Sequence, residues 1–291
     1  YIKVHYPAAF YASLLNNQPM GFYHPATLVK DAQRRSQRIK PIDVLRSDWP
    51  CTLEEDGSVR LGLMYVAGLR KEQGKRIEQE RRQKPFLSID ELRRRTGLRK
   101  AEMKVLAEIG ALNGFGMKRR QALWQIEEAC RPGGPLLAKL EASQQETDSP
   151  LSDMTAQERL LADYWGTGVT IGPHPMALQR QTLTARGVRT ASQLPHLPDG
   201  KQVRVAGGVI VRQRPQTARG FFFMSLEDES GIANIVIQPE LLEQNRLLLL
   251  TEPFLLVEGI LQNQNHVTSV KARTFQALSG IDLDLWSRNF C

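Results

Sequence analysis

Apolar positions recur at helical spacing over the first two-thirds of this chain and switch to strict alternation near residue 201. Pro7 to Leu15 reads as a short apolar helix with proline at its start, where a missing N–H costs nothing. Asn16-Asn17-Gln18-Pro19-Met20-Gly21 breaks it, Leu28 to Arg38 forms a second helix, and Ile39 to Val44 is extended. Residues 58–128 read as helices separated by glycine turns. Leu61 to Leu69 leads into a basic helix from Lys71 to about Gln83, followed by helices over Ser88 to Thr96 and Lys100 to Leu106. Ser88 caps the first of these two, with Glu91 as its capping-box partner. Ile109 to Leu112 then leads into a helix from Lys118 to Glu128. Arg131-Pro132-Gly133-Gly134-Pro135 and the polar stretch Ser143 to Ser149 mark a linker over 131–153. Two more helices follow, Met154 to Tyr164 with Thr155 as N-cap, and Met176 to Arg186.

From residue 201, Val203, Val205, Gly207, Val209 and Val211 occupy every second position. Strands at Phe221 to Leu226 and Ile232 to Ile237, a short helix at Pro239 to Asn245, and strands at Phe254 to Leu261 and Val267 to Phe275 complete the series. Three strands, a helix and two strands in about 75 residues is the order of an OB-fold barrel. Upstream, two turns at Gly68 and Gly110, each ending one helix and starting another, have the organisation of helix-hairpin-helix motifs. Glycine lets such a hairpin turn tightly, and the backbone N–H groups at the next helix start can meet a phosphate.

Charge sharpens this picture. The formal net charge is +8, but residues 70–120 alone hold sixteen Lys or Arg against seven Asp or Glu. A concentrated basic block favours a polyanion, most simply nucleic acid. Candidate duplex contacts are Gly68, Leu69, Lys71, Lys75 and Arg76 at the first hairpin, and Gly110, Ala111, Lys118, Arg119 and Arg120 at the second. The barrel segment 201–276 is nearly neutral, with eight cations and seven anions. Its candidate single-strand contacts are Arg204, Arg212, Arg214, Arg219 and Lys271, with Phe221 and Phe223 as stacking platforms. Alternation puts both rings on one side, and at least one of them is expected in the barrel core. The acidic turn 227–229 is not a phosphate site.

Other chemistry is absent from the sequence. Cys51, Cys130 and Cys291 form no CxxC pair, which argues against a disulfide framework or structural zinc and fits a reducing, cytoplasmic setting. The five histidines are scattered singly, and His24 and His174, each before a proline, suit structural roles. There is no P-loop, HExxH or nucleophile elbow, and Asp282-Leu283-Asp284 lacks the strand hairpin of a two-metal site. No apolar run is long enough for a membrane helix, so no membrane partner is expected. The opening, without Met and in mid-pattern, reads as the start of a fragment.

Several stretches resemble one family. Tyr1-Ile2-Lys3-Val4-His5-Tyr6-Pro7-Ala8-Ala9-Phe10, Leu14-Leu15-Asn16 and Gln18-Pro19-Met20-Gly21-Phe22-Tyr23 resemble the late fingers region of bacterial C-family DNA polymerases, the alpha subunits of polymerase III. Val59-Arg60-Leu61-Gly62 and Gly68-Leu69 resemble the start of that family's tandem helix-hairpin-helix domain. Val203 to Gly208 and Leu226 to Gly231 resemble its OB domain. Asn17 to Tyr23, the connector Leu160 to Pro175 and the ending Ser287-Arg288-Asn289-Phe290 are most like the error-prone accessory branch used in damage-induced mutagenesis.

The resemblance implies a multidomain α + β architecture. Residues 1–50 are the helical end of the polymerase fingers and 51–130 a tandem helix-hairpin-helix DNA-binding domain. Residues 131–200 are linker and connecting helices, 201–276 a small antiparallel OB-fold, and 277–291 a tail. It implies a DNA-binding, C-terminal part of an error-prone, DNA-templated DNA polymerase acting in translesion synthesis; the alternative is a non-catalytic DNA-binding or partner-recruitment module. The parent nucleotidyltransferase would use Mg²⁺, but its catalytic palm would lie upstream, so this chain should be inactive alone and carry no cofactor. Partners would be duplex and single-stranded DNA and an inactive Y-family-like accessory protein. Leu136-Leu137-Ala138-Lys139-Leu140 departs from the family's sliding-clamp peptide, so clamp binding would be indirect.

Overall fold

A computed structural model describes residues 1–20, 23–129, 150–264, 267–278 and 288–290 of the 291. Residues 131–149 of the expected 131–153 linker, with the Leu136–Leu140 stretch, the Asp282–Asp284 pair and Ser287 lie outside the described residues. Eleven α-helices are described: α1 (Ile2–His5), α2 (Pro7–Asn16), α3 (Pro25–Arg34), α4 (Lys71–Gln83), α5 (Ile89–Thr96), α6 (Lys100–Glu108), α7 (Arg119–Ala129), α8 (Ala156–Thr167), α9 (Pro175–Ala185), α10 (Pro239–Gln244) and α11 (Arg246–Thr251). The strands are β1 (Ile39–Lys40), β2 (Thr52–Leu53), β3 (Val59–Arg60), β4 (Val188–Arg189), β5 (Gln202–Gln213), β6 (Phe222–Glu227), β7 (Ile232–Ile237), β8 (Phe254–Gln264), β9 (Val267–Ala277) and β10 (Arg288–Phe290).

The chain divides into two compact units that do not follow chain order. One holds residues 1–16 and 37–171, the other residues 17–36 and 172–291. The sequence pattern predicts boundaries near residues 50, 130 and 200 instead. Local pattern shows where helices lie, but not which core they join.

The first unit is helical, with a three-stranded sheet in which β1 is parallel and β2 antiparallel to β3. Local signals fix its helix ends. Ser88 Oγ accepts the Glu91 N–H at 3.1 Å to start α5, and Thr155 Oγ1 accepts the Glu158 N–H at 3.2 Å to start α8. Ile77, Leu92, Met103, Leu106, Leu112 and Ile126 are fully buried, the apolar stripes of α4 to α7 meeting in one core.

In the second unit β5 pairs antiparallel with β6 through its later half and with β8 through its first half. β6 pairs with β7, β7 runs parallel to β9, and β9 pairs with β8, closing a five-stranded barrel of OB topology. Val203, Val205, Val209, Phe222, Met224, Ile235, Val257 and Val270 fill it. Two short strands add to β5 in parallel, β4 at Arg204–Val205 and the C-terminal β10 at Val211–Gln213. The expected helix at Pro239 to Asn245 continues as α11, where the apolar run of 246–251 offers Leu249 to the barrel.

α3 joins this unit through charge. Its Arg34 Nη2 donates to Glu227 Oε1 at 2.7 Å, and its Thr27 Oγ1 to Glu227 Oε2 at 3.4 Å. Arg180 of α9 pairs with Glu229 and, at 3.4 Å, with Asp228, whose Oδ2 also accepts the Ala191 N–H at 2.8 Å. The acidic turn after β6 is therefore an internal anchor, and Glu227 and Asp228 are buried. His24 and His174 start α3 and α9, each Nδ1 accepting an N–H two residues on at 3.2 Å, with proline at the first helical position. Burial drives the His174 pKa down to about 3, so the imidazole is a neutral cap.

Candidate nucleic-acid interface

The sequence Gly-Leu-Arg-Lys occurs twice, at 68–71 and 97–100, and the backbone takes the same path both times. Gly68 and Gly97 have φ of +73° and +70°. Leu69 and Leu98 are buried. Arg70 and Arg99 share φ of −75° with ψ of 148° and 155°, and Lys71 and Lys100 begin α4 and α6. Each positive-φ glycine reverses the chain, each leucine pins the turn to the core, and each helix start then faces outward. The tandem motif is thus the pair Gly68 and Gly97, 29 residues apart.

This corrects the placing of the second hairpin at Gly110. That glycine, with φ of +79°, ends α6, but α7 begins only at Arg119, after a 3₁₀ turn at Asn113–Phe115. An added Cβ there would lie 2.9 Å from Arg119 Nε. Ala111 is fully buried and its N–H is bonded to Leu106 O at 2.8 Å, so both its side chain and its amide are taken up within the fold. The cations after Gly110 have carboxylate partners: Arg119 a largely buried one, Asp163 at 2.7 Å, Arg120 the exposed Glu158 at 2.7 Å, and Lys118 the exposed Asp153 in a surface pair. The repeated tetrapeptide is legible in the sequence itself.

At the Gly68 hairpin the opposite holds. A Cβ on Gly68 would meet nothing within 4 Å. Lys71, Lys75 and Arg76 are exposed and, among the described residues, carry no ion pair. Gly74, one turn into α4, lies against the Trp49 ring, so the helix is seated rigidly behind its charges. Sequence reasoning missed Arg70, exposed at the helix start, and Arg99.

On the barrel, cross-strand register places Gln213, Phe223, Val236, Lys271 and Ile260 in one row around the outer face. Phe223 and Lys271 are half-buried there. The core ring is Phe222; Phe221 and Phe223 alternate away from it, contrary to the expected core role for one of the two. Arg214 and Arg219 are exposed in the β5–β6 connection at the edge of that face. Arg204 pairs with Glu258. Arg212 is removed from the strand-binding set: it is 2% exposed and donates to Leu249 O and Glu252 O, each at 2.7 Å, tying β5 to α11. Among the described residues no group of three His, Cys, Asp or Glu could hold a metal, and no helix is long and apolar enough to cross a membrane.

A tandem-hairpin helical unit joined in one chain to an OB barrel defines a nucleic-acid-handling class of protein. The helix-hairpin-helix motif family matches residues 36–122, and the family described as OB-fold nucleic acid binding domain matches residues 191–278. Over its full length the chain is homologous to proteins named error-prone DNA polymerase. It is 42% identical to that of Pseudomonas aeruginosa and 40% to those of Anaeromyxobacter dehalogenans and Alkalilimnicola ehrlichii, each match covering 100% of this chain. The chain spans only 28%, 26% and 29% of those three proteins.

Proposed function

We propose that this chain is the DNA-handling, C-terminal part of an error-prone, DNA-templated DNA polymerase acting in translesion synthesis and induced mutagenesis. The helical unit grips the duplex backbone, and the barrel engages single-stranded template. The observation that carries this reading is the open Gly68 turn, with Arg70, Lys71, Lys75 and Arg76 exposed around one helix start. Backbone amides and cations arranged this way hold phosphate without reading bases. On the barrel, Phe223 offers a stacking face, and Lys271, Arg214 and Arg219 offer charge beside it. Catalysis belongs to residues outside this chain, and so do the ligands of the Mg²⁺ the parent polymerase would use. The setting is cytoplasmic. Recruitment runs through an inactive Y-family-like accessory protein, with the sliding clamp reached indirectly.

Titration of a labelled duplex from about 50 to 200 mM salt tests the duplex role. Three phosphate contacts contribute about −2.7 to the log–log slope, nearly independent of base sequence, and replacing Lys71, Lys75 and Arg76 by alanine removes that contribution. A flat plot for the unaltered chain refutes the reading. The second reading, a recruitment barrel that binds protein and not strand, is favoured by the barrel's near-neutral charge. Binding of the accessory protein with no affinity for a fluorescent single strand would establish it.

A further inference from the structure

The two hairpins share a backbone but not an occupant. Three residues after Arg99, the Glu102 carboxylate reaches back, and its Oε2 accepts the Arg99 N–H at 2.8 Å. Its other oxygen lies 3.7 Å from Nε of Arg70, the corresponding arginine of the first hairpin. Glu102 is buried, so this is an anion held inside the turn and not a solvated side chain. In the first hairpin the same position is Gln73. Its Oε1 is buried without a hydrogen-bond partner, and the Arg70 N–H makes no hydrogen bond among the described residues. Arg76 also leans on the second turn, its Nη1 lying 3.8 Å from where a Gly97 Cβ would be. Two guanidiniums of the first hairpin thus reach the second, Arg70 beside the Glu102 carboxylate and Arg76 beside the Gly97 turn, while the Arg99 amide at that helix start already holds the carboxylate. Lys100, at the same helix start, is held by Glu127 at 2.6 Å.

We infer that the Gly97 turn, flanked by Arg70, Arg76 and Arg99, is a second phosphate subsite closed by Glu102, an internal anion that a duplex phosphate must displace. The inference rests on the reading that this unit binds duplex phosphate through the Gly68 hairpin. A buried carboxylate on the amide and guanidinium that would hold the phosphate competes with it directly. The two hairpins are therefore unequal: the first is open at rest and the second is latched. Neutralising the latch, while keeping an acceptor for the Arg99 amide, should open the second subsite without disturbing the helix cap.

The test compares duplex titrations of the unaltered chain, Glu102→Gln and Glu108→Gln. Glu108 is exposed at the other end of α6 and controls for loss of one negative charge. Glu102→Gln is expected to steepen the salt slope by about 0.9, one phosphate contact, and to bind about three- to tenfold tighter at 50 mM salt. Glu108→Gln is expected to move neither by more than about twofold. Equal behaviour of the two variants, or no steepening in Glu102→Gln, overturns the inference while leaving the Gly68 hairpin standing. A flat salt plot for the unaltered chain overturns both. Arg99→Ala in the otherwise unaltered chain gives a reading that does not depend on how Glu102→Gln folds. A latched hairpin predicts under about twofold loss against several-fold for Lys71→Ala, and equal losses overturn the latch.

Discussion

Replacing Arg34 by alanine takes a guanidinium away from a carboxylate that is 4% exposed. Glu227 then keeps Thr27 as a hydrogen-bond donor at 3.4 Å and the nearby charge of Lys30. Breaking a fully buried pair by removing one partner costs about 3–5 kcal/mol. The Arg34 side chain is 19% exposed, so water replaces part of what it supplied, and about 2–4 kcal/mol is the expected loss for the barrel unit. Hydrogen exchange of the slowest amides in β5 to β9 reads this unit alone and should quicken by about thirty- to several-hundred-fold. The pH dependence follows from sign. Burial raises the Glu227 pKa above its unfolded value, although Arg34 opposes that shift. Its ionisation therefore costs stability as pH rises through the folded pKa, and removing Arg34 raises that pKa further. The deficit of Arg34→Ala should be full above the variant's folded Glu227 pKa and shrink as pH falls through the folded pKa of the unaltered protein, itself above the unfolded glutamate value of about 4.3. Glu227→Gln in the same background should recover part of it. A loss under about 0.5 kcal/mol at pH 8, or a deficit that grows on acidification, refutes the claim that this pair anchors α3.

Arg212→Met should destabilise the barrel by about 2 kcal/mol, because two buried carbonyls lose a charged donor, while single-strand affinity per folded molecule stays unchanged. Phe223→Ala should weaken single-strand binding by about 1–3 kcal/mol with little loss of stability. Phe222→Ala should cost about 3–5 kcal/mol of stability, measured in the same denaturation series. Gly68→Val places a β-branched residue at φ of +73° and should reduce duplex binding more than Lys71→Ala does, with circular dichroism confirming that the helices remain.

Much of this protein was legible in its sequence because the signals are local. Alternation at Val203, Val205 and Val209 marks a strand whatever it packs against, and β5 covers those positions. Ser88 and Thr155 announce helix starts because the capping hydrogen bond closes within three residues. The five-strand order followed from the same period-2 signal, and the basic block at 70–120 pointed to a polyanion before any fold was known. Tertiary structure decided what depends on partners distant in sequence. Whether an arginine is a free cation or a structural tie cannot be read locally: Arg212 looked like Arg214 until Leu249 and Glu252 were placed beside it. Gly110 looked like Gly68 until Arg119, itself paired with Asp163, was placed against its turn. The helix at 25–34 lies about two hundred residues before the acidic turn it joins, at Glu227. A charge on a sequence is only a charge; burial and the nearest opposite charge decide whether it holds the fold together or waits for a ligand.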